Sequence, residues 1–330
     1  MSDFYSILVL PEPKSHNLIH MFIIKYKKIF IGISATLVVL SLLSLFIFGL
    51  NVGIDFKGGA LTEVVYNEER PTQDALNESL KILNFGSILL QPTGDLGYIV
   101  KTRDLNDSEH TLLLKTLSQN KSDALAETSF NSIGPSVGRE LTRKAIIAVV
   151  LVSLAIICFI AFAFRKVSIS HIPGRKSVPS WKYGIIAIVT LLHDVILPVG
   201  LFVVLSHFYG AEMDTLFVVA ILTILGLSVS DTIVIFDRIR ENLKNEEKAA
   251  RTSFSEIVGK SLEQSYVRSL CTSLTLILVL LSLFFFGPVT TRYFALMLTA
   301  GMFFGTYSSI FLASPLLVLV EEWQKTKNHK

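Results

Sequence analysis

The chain has 330 residues and a formal net charge of +3, with 51% hydrophobic and only 17% charged residues. Soluble domains carry about 25% charged residues, so this composition excludes an ordinary soluble protein and indicates a membrane protein with a modest water-exposed part. The small net charge gives no support for nucleic-acid binding, and both cysteines fall in apolar runs, which argues against a disulfide framework.

Six apolar runs are long enough to cross a bilayer core of about 30 Å at 1.5 Å per helical residue. They predict an α-helical polytopic membrane protein with six transmembrane helices, at 29–50, 143–164, 183–207, 214–236, 268–287 and 292–320. A polar segment, 1–28, precedes the first span. A charged stretch, 237–267, is predicted to form an amphipathic cytosolic segment, and 321–330 is a polar tail.

Residues 51–142 are the long polar region of the sequence and predict a small α+β domain between the first and second spans. Strands are predicted at 60–66, 87–91, 97–102 and 126–133, and helices at 73–84 and 109–119. This order of strand, helix, strand, strand, helix, strand is the ferredoxin-like pattern. About 90 residues suffice for such a domain with its own core.

Orientation follows from the distribution of basic residues. Four segments are rich in Lys and Arg: 1–28, 165–182, 237–267 and 321–330. The loop 208–213 has none. The positive-inside rule therefore predicts that both termini lie in the cytosol and that the 51–142 domain lies on the opposite, periplasmic side.

Asp231 lies within the fourth apolar run, with Thr223, Ser228 and Ser230 as its nearest polar neighbours. A carboxylate in hydrocarbon costs on the order of 3 kcal/mol or more, so such residues usually belong to a pathway or pair with a partner. The alternative is that Asp231 lies at a helix end and reaches water. The apolar residues 233–236 beyond it favour the functional interpretation.

Arg268 opens the fifth span, and Thr272 lies one turn further along the same helix face. An arginine and apolar surroundings act in opposite senses on the protonation of a nearby carboxylate. Small helix movements that pair Asp231 with Arg268 would therefore switch its proton. The alternative is an interfacial arginine that extends to the lipid headgroups.

His193 and Asp194 form a secondary polar site within the third span. A histidine carries protons near neutral pH, but the pair also suits a structural hydrogen-bonded contact, and the structural interpretation is preferred.

Gly301 and Gly305 form a GxxxG pattern that indicates close helix packing. The sequence contains no Walker motif, metal-ligand cluster or Ser-His-Asp arrangement, so we expect neither an enzyme nor a cofactor or metal.

Three blocks of sequence carry a resemblance to a known family. They are Gly53-Ile-Asp-Phe-Lys-Gly-Gly59, Gly134-Pro-Ser-Val-Gly-Arg-Glu-Leu141 and Ser228-Val-Ser-Asp-Thr-Ile-Val-Ile-Phe-Asp-Arg-Ile-Arg-Glu-Asn242. Two softer blocks, 268–275 and 305–315, support them. Together they resemble the SecF family of bacterial protein-export membrane proteins. The resemblance extends from the first span to the sixth.

This resemblance implies a subunit of the bacterial inner membrane that works with SecD as a twelve-span unit related to the resistance-nodulation-division exporters. It implies association with SecYEG and use of the proton motive force to help preproteins across after SecA has acted. By the same resemblance, Asp231, Arg268 and Thr272 match the family's proton-coupling residues. This chain departs from the family pattern at Leu227 and Ser230, where many relatives have Tyr and Asn, so fewer polar groups lie beside the aspartate.

Two other functions fit six spans. A passive scaffold of the translocon would need no proton traffic. Half of a proton-coupled small-molecule exporter would use the same membrane chemistry, but related exporters need larger exterior domains than residues 51–142 provide.

Overall fold

The computed structural model describes residues 22–121, 124–164, 179–246 and 253–328. In chain order its elements are α1 (Lys27–Phe48), α2 (Ile54–Lys57), β1 (Gly59–Tyr66), α3 (Gln73–Lys81), β2 (Leu89–Thr93), β3 (Gly97–Thr102), α4 (Asp107–Leu117), β4 (Leu125–Ile133), α5 (Pro135–Phe164), α6 (Ser180–Tyr209), α7 (Thr215–Glu246), α8 (Phe254–Phe286), a 3₁₀ turn (Val289–Thr291), α9 (Arg292–Ser308), a π-helical segment (Ser309–Ala313) and α10 (Ser314–Asn328).

These elements form two compact units. The sheet unit comprises residues 50–150 together with 212–218, and the helical unit comprises the described residues of 1–49, 151–211 and 219–330. Most of the predicted segment 1–28 and of the basic loop 165–182 lies outside the described residues.

Six helices of the described chain are long and apolar enough to cross a membrane. They are α1, α5, α6, α7, α8 and the stretch from α9 through α10. The prediction of six apolar helices is therefore confirmed, and the chain is a multi-pass membrane protein. Several helices exceed the apolar runs that predicted them: α5 begins at Pro135 instead of 143, and α8 at Phe254 instead of 268.

The described parts of the charged stretch 237–267 are the end of α7 and the beginning of α8, and residues 247–252 lie outside the described residues. A capping box starts α8: the Glu256 amide donates to Ser253 Oγ at 3.2 Å, and the Ser253 amide donates to Glu256 Oε2 at 2.8 Å. The side-chain amide of Asn242 donates to Ser261 Oγ at 2.8 Å. These contacts extend both helices beyond their apolar parts.

Glycines allow close helix contacts in the helical unit. A Cβ at Gly200 of α6 would lie 2.3 Å from the Cβ of Ser41 on α1, and a Cβ at Gly301 of α9 would lie 2.3 Å from Ile224 Cγ1 on α7. Small residues let helix backbones approach in this way. Close packing matters in a membrane because lipid provides no hydrophobic drive for helix association. Gly301 therefore has the close-packing role that the GxxxG pattern predicts.

The sheet unit contains four antiparallel strands in the order β2-β3-β1-β4. Ala60 pairs with Thr102 on one side of β1, and Gly59 pairs with Ile133 on the other. Helices α3 and α4 follow β1 and β3 in the chain. The core consists of apolar side chains from the sheet and from these two helices: Val64, Leu76, Leu80, Val100, Leu113 and Leu117.

The first two sequence blocks contact each other within the sheet unit. Gly58 has a φ of +81°, and a Cβ there would lie 2.9 Å from Pro135 Cα. A Cβ at Gly138 would lie 2.9 Å from the Gly58 amide nitrogen. Asp55 belongs to the first block, and its Oδ2 accepts hydrogen bonds from the amide and hydroxyl of Thr215, at 2.8 and 2.7 Å. Asp55 thus supplements the N-cap residue Asp214, whose Oδ1 accepts from the Phe217 amide at 2.8 Å, and this is a structural role for the first block.

Candidate functional site

Asp231 lies on α7 in the helical unit, where its side chain is half-buried. Its Oδ1 accepts a hydrogen bond from Ser269 Oγ on α8 at 2.6 Å. Its Oδ2 is buried and has no hydrogen-bond partner among the described residues. A buried polar atom without a partner costs free energy and calls for an explanation such as water or a functional proton. Asp231 therefore has one fixed oxygen and one free oxygen.

A cavity of about 70 Å³ adjoins Asp231 and is lined by residues of α7, α8 and α9. Its lining is Leu227, Ser228, Ser230, Asp231, Thr272, Ser273, Leu276, Gly301, Met302, Gly305 and Thr306. It is large enough to hold water, because a cavity needs roughly 10–15 Å³ of such volume to hold one water molecule. Because five of the lining side chains besides Asp231 are hydroxyls, water in this cavity has hydrogen-bond partners. We refer to it as the Asp231 cavity.

The three predicted proton-coupling residues are only partly brought together. Thr272 lines the Asp231 cavity, and its hydroxyl donates to the Arg268 carbonyl at 2.9 Å instead of to Asp231. The Arg268 side chain is exposed, and within the described residues no ion pair or hydrogen bond joins it to Asp231. The expected direct pairing of Asp231 with Arg268 is thus absent from this conformation. The contact is made by Ser269, which sequence reasoning missed.

A one-residue difference explains why Ser269 takes this contact. Successive residues of an α-helix are rotated by 100°, so the face of α8 that meets α7 presents Ser269 and Ser273, both buried. Arg268 and Thr272 lie on the neighbouring face. The pattern of small hydroxyl residues four apart was the available signal, because small residues mark the close contacts of membrane helices.

His193 and Asp194 of α6 form a second polar cluster, and both side chains are buried. His193 Nδ1 lies 2.8 Å from Asp194 Oδ1. The other oxygen, Oδ2, accepts hydrogen bonds from Ser228 Oγ of α7 at 2.5 Å and from Ser308 Oγ of α9 at 2.6 Å. Three donors satisfy the buried carboxylate, as burial of a charge requires. The predicted secondary polar site therefore connects three helices.

Further hydroxyl pairs lie next to these two clusters. Thr232 of α7 contacts Ser309 at 3.1 Å, and Ser273 of α8 contacts Thr306 of α9. Ser309 begins the π-helical segment, and π-helical turns inside α-helices frequently occur at functional sites. Within the described residues no group of three or more His, Cys, Asp and Glu side chains could hold a metal ion.

Comparison with models of known protein families shows the family to which the chain belongs. Residues 113–173 and 177–323 match the model of the C-terminal region of the protein-export membrane proteins SecD and SecF, and residues 43–68 match the model of the SecD/SecF GG motif. The chain belongs to the SecD/SecF family. The second match includes Gly58, which joins α2 to β1, and Gly59, which begins β1; both have a positive φ.

Individual members of the SecD/SecF family match over most of this chain. The protein translocase subunit SecF of Thermobaculum terrenum is 40% identical over 307 residues, which cover 90% of this chain and 92% of the relative. SecF of Anaerolinea thermophila is 34% identical and also covers 90% of this chain. The translocase subunit SecDF of Bacillus subtilis is 30% identical over 88% of this chain, which spans 37% of that longer protein.

A solved structure shows the same architecture. The crystal structure of SecDF from Thermus thermophilus, described as a translocon-associated membrane protein, matches with a TM-score of 0.74 and 29% sequence identity. The match covers 92% of this chain and 38% of that chain. This member of the SecD/SecF family thus corresponds to less than two fifths of the SecDF protein.

Proposed function

We propose that this chain is a SecF-like accessory subunit of the Sec translocase, in which protonation of Asp231 is coupled to preprotein movement by the proton motive force. The observation that carries this proposal is the buried, unpartnered Oδ2 of Asp231 beside a hydroxyl-lined cavity in a SecD/SecF family member. Family membership supports the Sec role, and the unpartnered oxygen supports the proton role.

The coupling follows from hydrogen-bonding rules. An ionised carboxylate only accepts hydrogen bonds, whereas a protonated one also donates. Protonation at Oδ2 would give Asp231 a donor facing the Asp231 cavity, while Oδ1 keeps its bond from Ser269. The packing of α7 against α8 and α9 would then differ in stability between the two protonation states. One proton can thereby shift the balance between two helix arrangements.

Arg268 and Thr272 remain proton-coupling residues in this proposal. Thr272 lines the Asp231 cavity, and Arg268 lies one turn before it on α8. A rotation of α8 about its axis would exchange the Ser269 contact for one by Arg268, because the two residues are adjacent. The arginine would then pair with the ionised form of Asp231.

The proposed surroundings follow from the relatives. SecD is the proposed partner because SecDF relatives carry both names in one chain. SecYEG, the ATPase SecA and translocating preproteins complete the proposed assembly.

We place the chain in the bacterial inner membrane with both termini cytosolic. The element and strand orders of the sheet unit support a ferredoxin-like domain, which we place on the periplasmic side. The chain acts without enzymatic chemistry or a cofactor, since the proton gradient supplies the energy.

Preprotein export in cells that carry Asp231→Asn tests the proposal. Asparagine keeps the size and the hydrogen-bonding oxygen but cannot take up a proton, so export should fail while the protein remains at normal abundance in the membrane. Asp237→Asn is the matched control, because Asp237 lies on the same helix, is exposed and pairs with Arg240 at 2.5 Å. Export should continue in that variant. Normal export in Asp231→Asn would instead favour a passive scaffold.

A further inference from the structure

The carboxylate of Asp194 is buried at a point where three membrane helices, α6, α7 and α9, meet. The side chain is fully buried, and its two oxygens accept from His193 on the same helix, from Ser228 on α7 and from Ser308 on α9. Polar membrane residues of this kind usually belong to ion or proton pathways. Asp194 is therefore a candidate for a role in addition to holding helices together.

Ser228 connects Asp194 to the Asp231 cavity. Its hydroxyl donates to Asp194 Oδ2, and the same residue lines the cavity one turn before Asp231 on α7. Gly305 of α9 leaves room at this point, since a Cβ there would lie 3.6 Å from Ser228 Cβ and 3.9 Å from Asp194 Oδ2. Ser228 thus contacts the Asp194 carboxylate and also lines the cavity that adjoins the Asp231 carboxylate.

His193 connects the same carboxylate to a second cavity. This cavity has a volume of about 320 Å³ and lies among α1, α6, α10 and the π-helical segment. His193 and Ser34 line it, and both side chains are more than nine-tenths buried. His193 Nε2 and Ser34 Oγ have no hydrogen-bond partner among the described residues. A water molecule at each of these two atoms would satisfy it. The rest of the lining is apolar, so water in this cavity would lie at His193 and Ser34.

We infer that His193 and Asp194 form a second proton-transfer site, which links water in the second cavity to the Asp231 cavity through Ser228. This inference rests on the proposed proton-coupled function and adds the route by which a proton reaches Asp231. Chains of hydrogen-bonded side chains of this type transmit protons because each member both donates and accepts at some stage.

The transfer is balanced without any other reactant. His193 accepts a proton from water at Nε2 and releases the proton on Nδ1 to Asp194 Oδ1. Rotation of the protonated carboxyl group brings its proton to the Ser228 side, and the Ser228 hydroxyl turns its own proton towards the Asp231 cavity. The hydroxyl oxygen then accepts the proton from Asp194 while its own proton leaves to water in the Asp231 cavity. His193 ends as the other neutral tautomer and Asp194 as the carboxylate. A flip of the imidazole ring restores the starting tautomer, so each completed cycle moves one proton and changes no oxidation state.

Few other titratable groups contact this route. From α9, the ring of Tyr307 stacks on His193 at a centroid distance of 6.4 Å. From α7, Asp231 lies across the Asp231 cavity. The lining residues of α1 and α10 at the second cavity are Ser34 and apolar side chains. A titration assigned to the pair is therefore separable by substitution of Asp194 and Asp231 in turn.

Two serine variants distinguish a proton route from a structural network. Ser228 and Ser308 both donate to Asp194 Oδ2, at 2.5 and 2.6 Å, but only Ser228 lines the Asp231 cavity. Each is replaced by alanine, and export in cells is measured with the proton gradient intact and after an uncoupler dissipates it. Ser228→Ala should lose the stimulation of export by the gradient, and Ser308→Ala should retain it. Equal behaviour of the two variants would overturn the inference.

Infrared difference spectroscopy separates this inference from the proposed function. The full-length chain in lipid vesicles is taken through a pH change, and the carbonyl band of protonated carboxyl groups is recorded. Asp231→Asn and Asp194→Asn should each remove a different titrating component, and His193→Gln should shift the component assigned to Asp194. If Asp231→Asn removes a titrating component but Asp194→Asn removes none, the second site is overturned and the proposed function stands. No change in Asp231→Asn overturns the proposed function and the second site together.

Discussion

Replacing Gly200 by alanine tests how closely α1 and α6 pack. A Cβ at position 200 would lie 2.3 Å from the Cβ and 2.6 Å from the Cα of Ser41. Non-bonded carbon atoms settle roughly 3.5–4.0 Å apart, so the helices would have to separate by about 1–2 Å. Over-packing of this kind costs about 1–3 kcal/mol. Alanine also favours the helix by about 1 kcal/mol over glycine, so the net loss of unfolding free energy should be about 0–2 kcal/mol.

Gly226→Ala is the matched control for this prediction. A Cβ at Gly226 on α7 meets nothing within 4 Å, so this variant gains helix propensity without a clash and should be stabilised by about 1 kcal/mol. The assay is denaturant-induced unfolding of the purified chain in detergent micelles, followed by loss of helical circular dichroism. The difference between the two variants measures the steric cost alone. Equal stability of Gly200→Ala and Gly226→Ala would refute the close α1–α6 contact.

Three further predictions concern the sheet unit. Asp55→Ala removes the carboxylate that accepts from the Thr215 amide at the start of α7 and should lower the unfolding free energy by about 1 kcal/mol in the same denaturation assay, whereas Asp55→Asn should lose less. The hydrogen bond from Arg103 lowers the pKa of Glu109 from 4.5 to about 2. The stabilisation by the ionised Glu109 is therefore present above pH 4.5 and lost as the pH falls towards 2. The pH dependence of the unfolding free energy in this window should weaken in Glu109→Gln. Gly58→Ala combines a positive φ with a clash against Pro135 and should reduce the amount of folded protein recovered in membranes, and recovery at the level of the unchanged chain would contradict this.

The six apolar helices were predictable because a membrane span needs a long apolar run, and each run marks its helix. Their ends were not. The capping box of Ser253 and Glu256 begins α8 well before its apolar part, and a hydrophobicity pattern does not detect a cap. The alternation of apolar residues likewise predicted β1 and β3 to within one residue, since one face of the sheet packs on helices.

The candidate site was predictable as to residues but not as to contacts. Asp231, His193 and Asp194 were visible as polar residues in apolar runs. The rotation of α8 about its own axis, however, decides whether Ser269 or Arg268 meets Asp231, and packing sets this rotation. The bond from Ser308 to Asp194 joins residues that are 114 positions apart, a distance over which one sequence carries no pairing signal.

The most direct test of proton coupling is preprotein export in Asp231→Asn cells, measured beside Asp237→Asn cells with the amount of each variant in the membrane determined in parallel. A proton-coupled role for Asp231 predicts that export fails in the first and continues in the second at equal abundance. Normal export in both would contradict the role of Asp231 as the coupling group and leave a scaffold in its place.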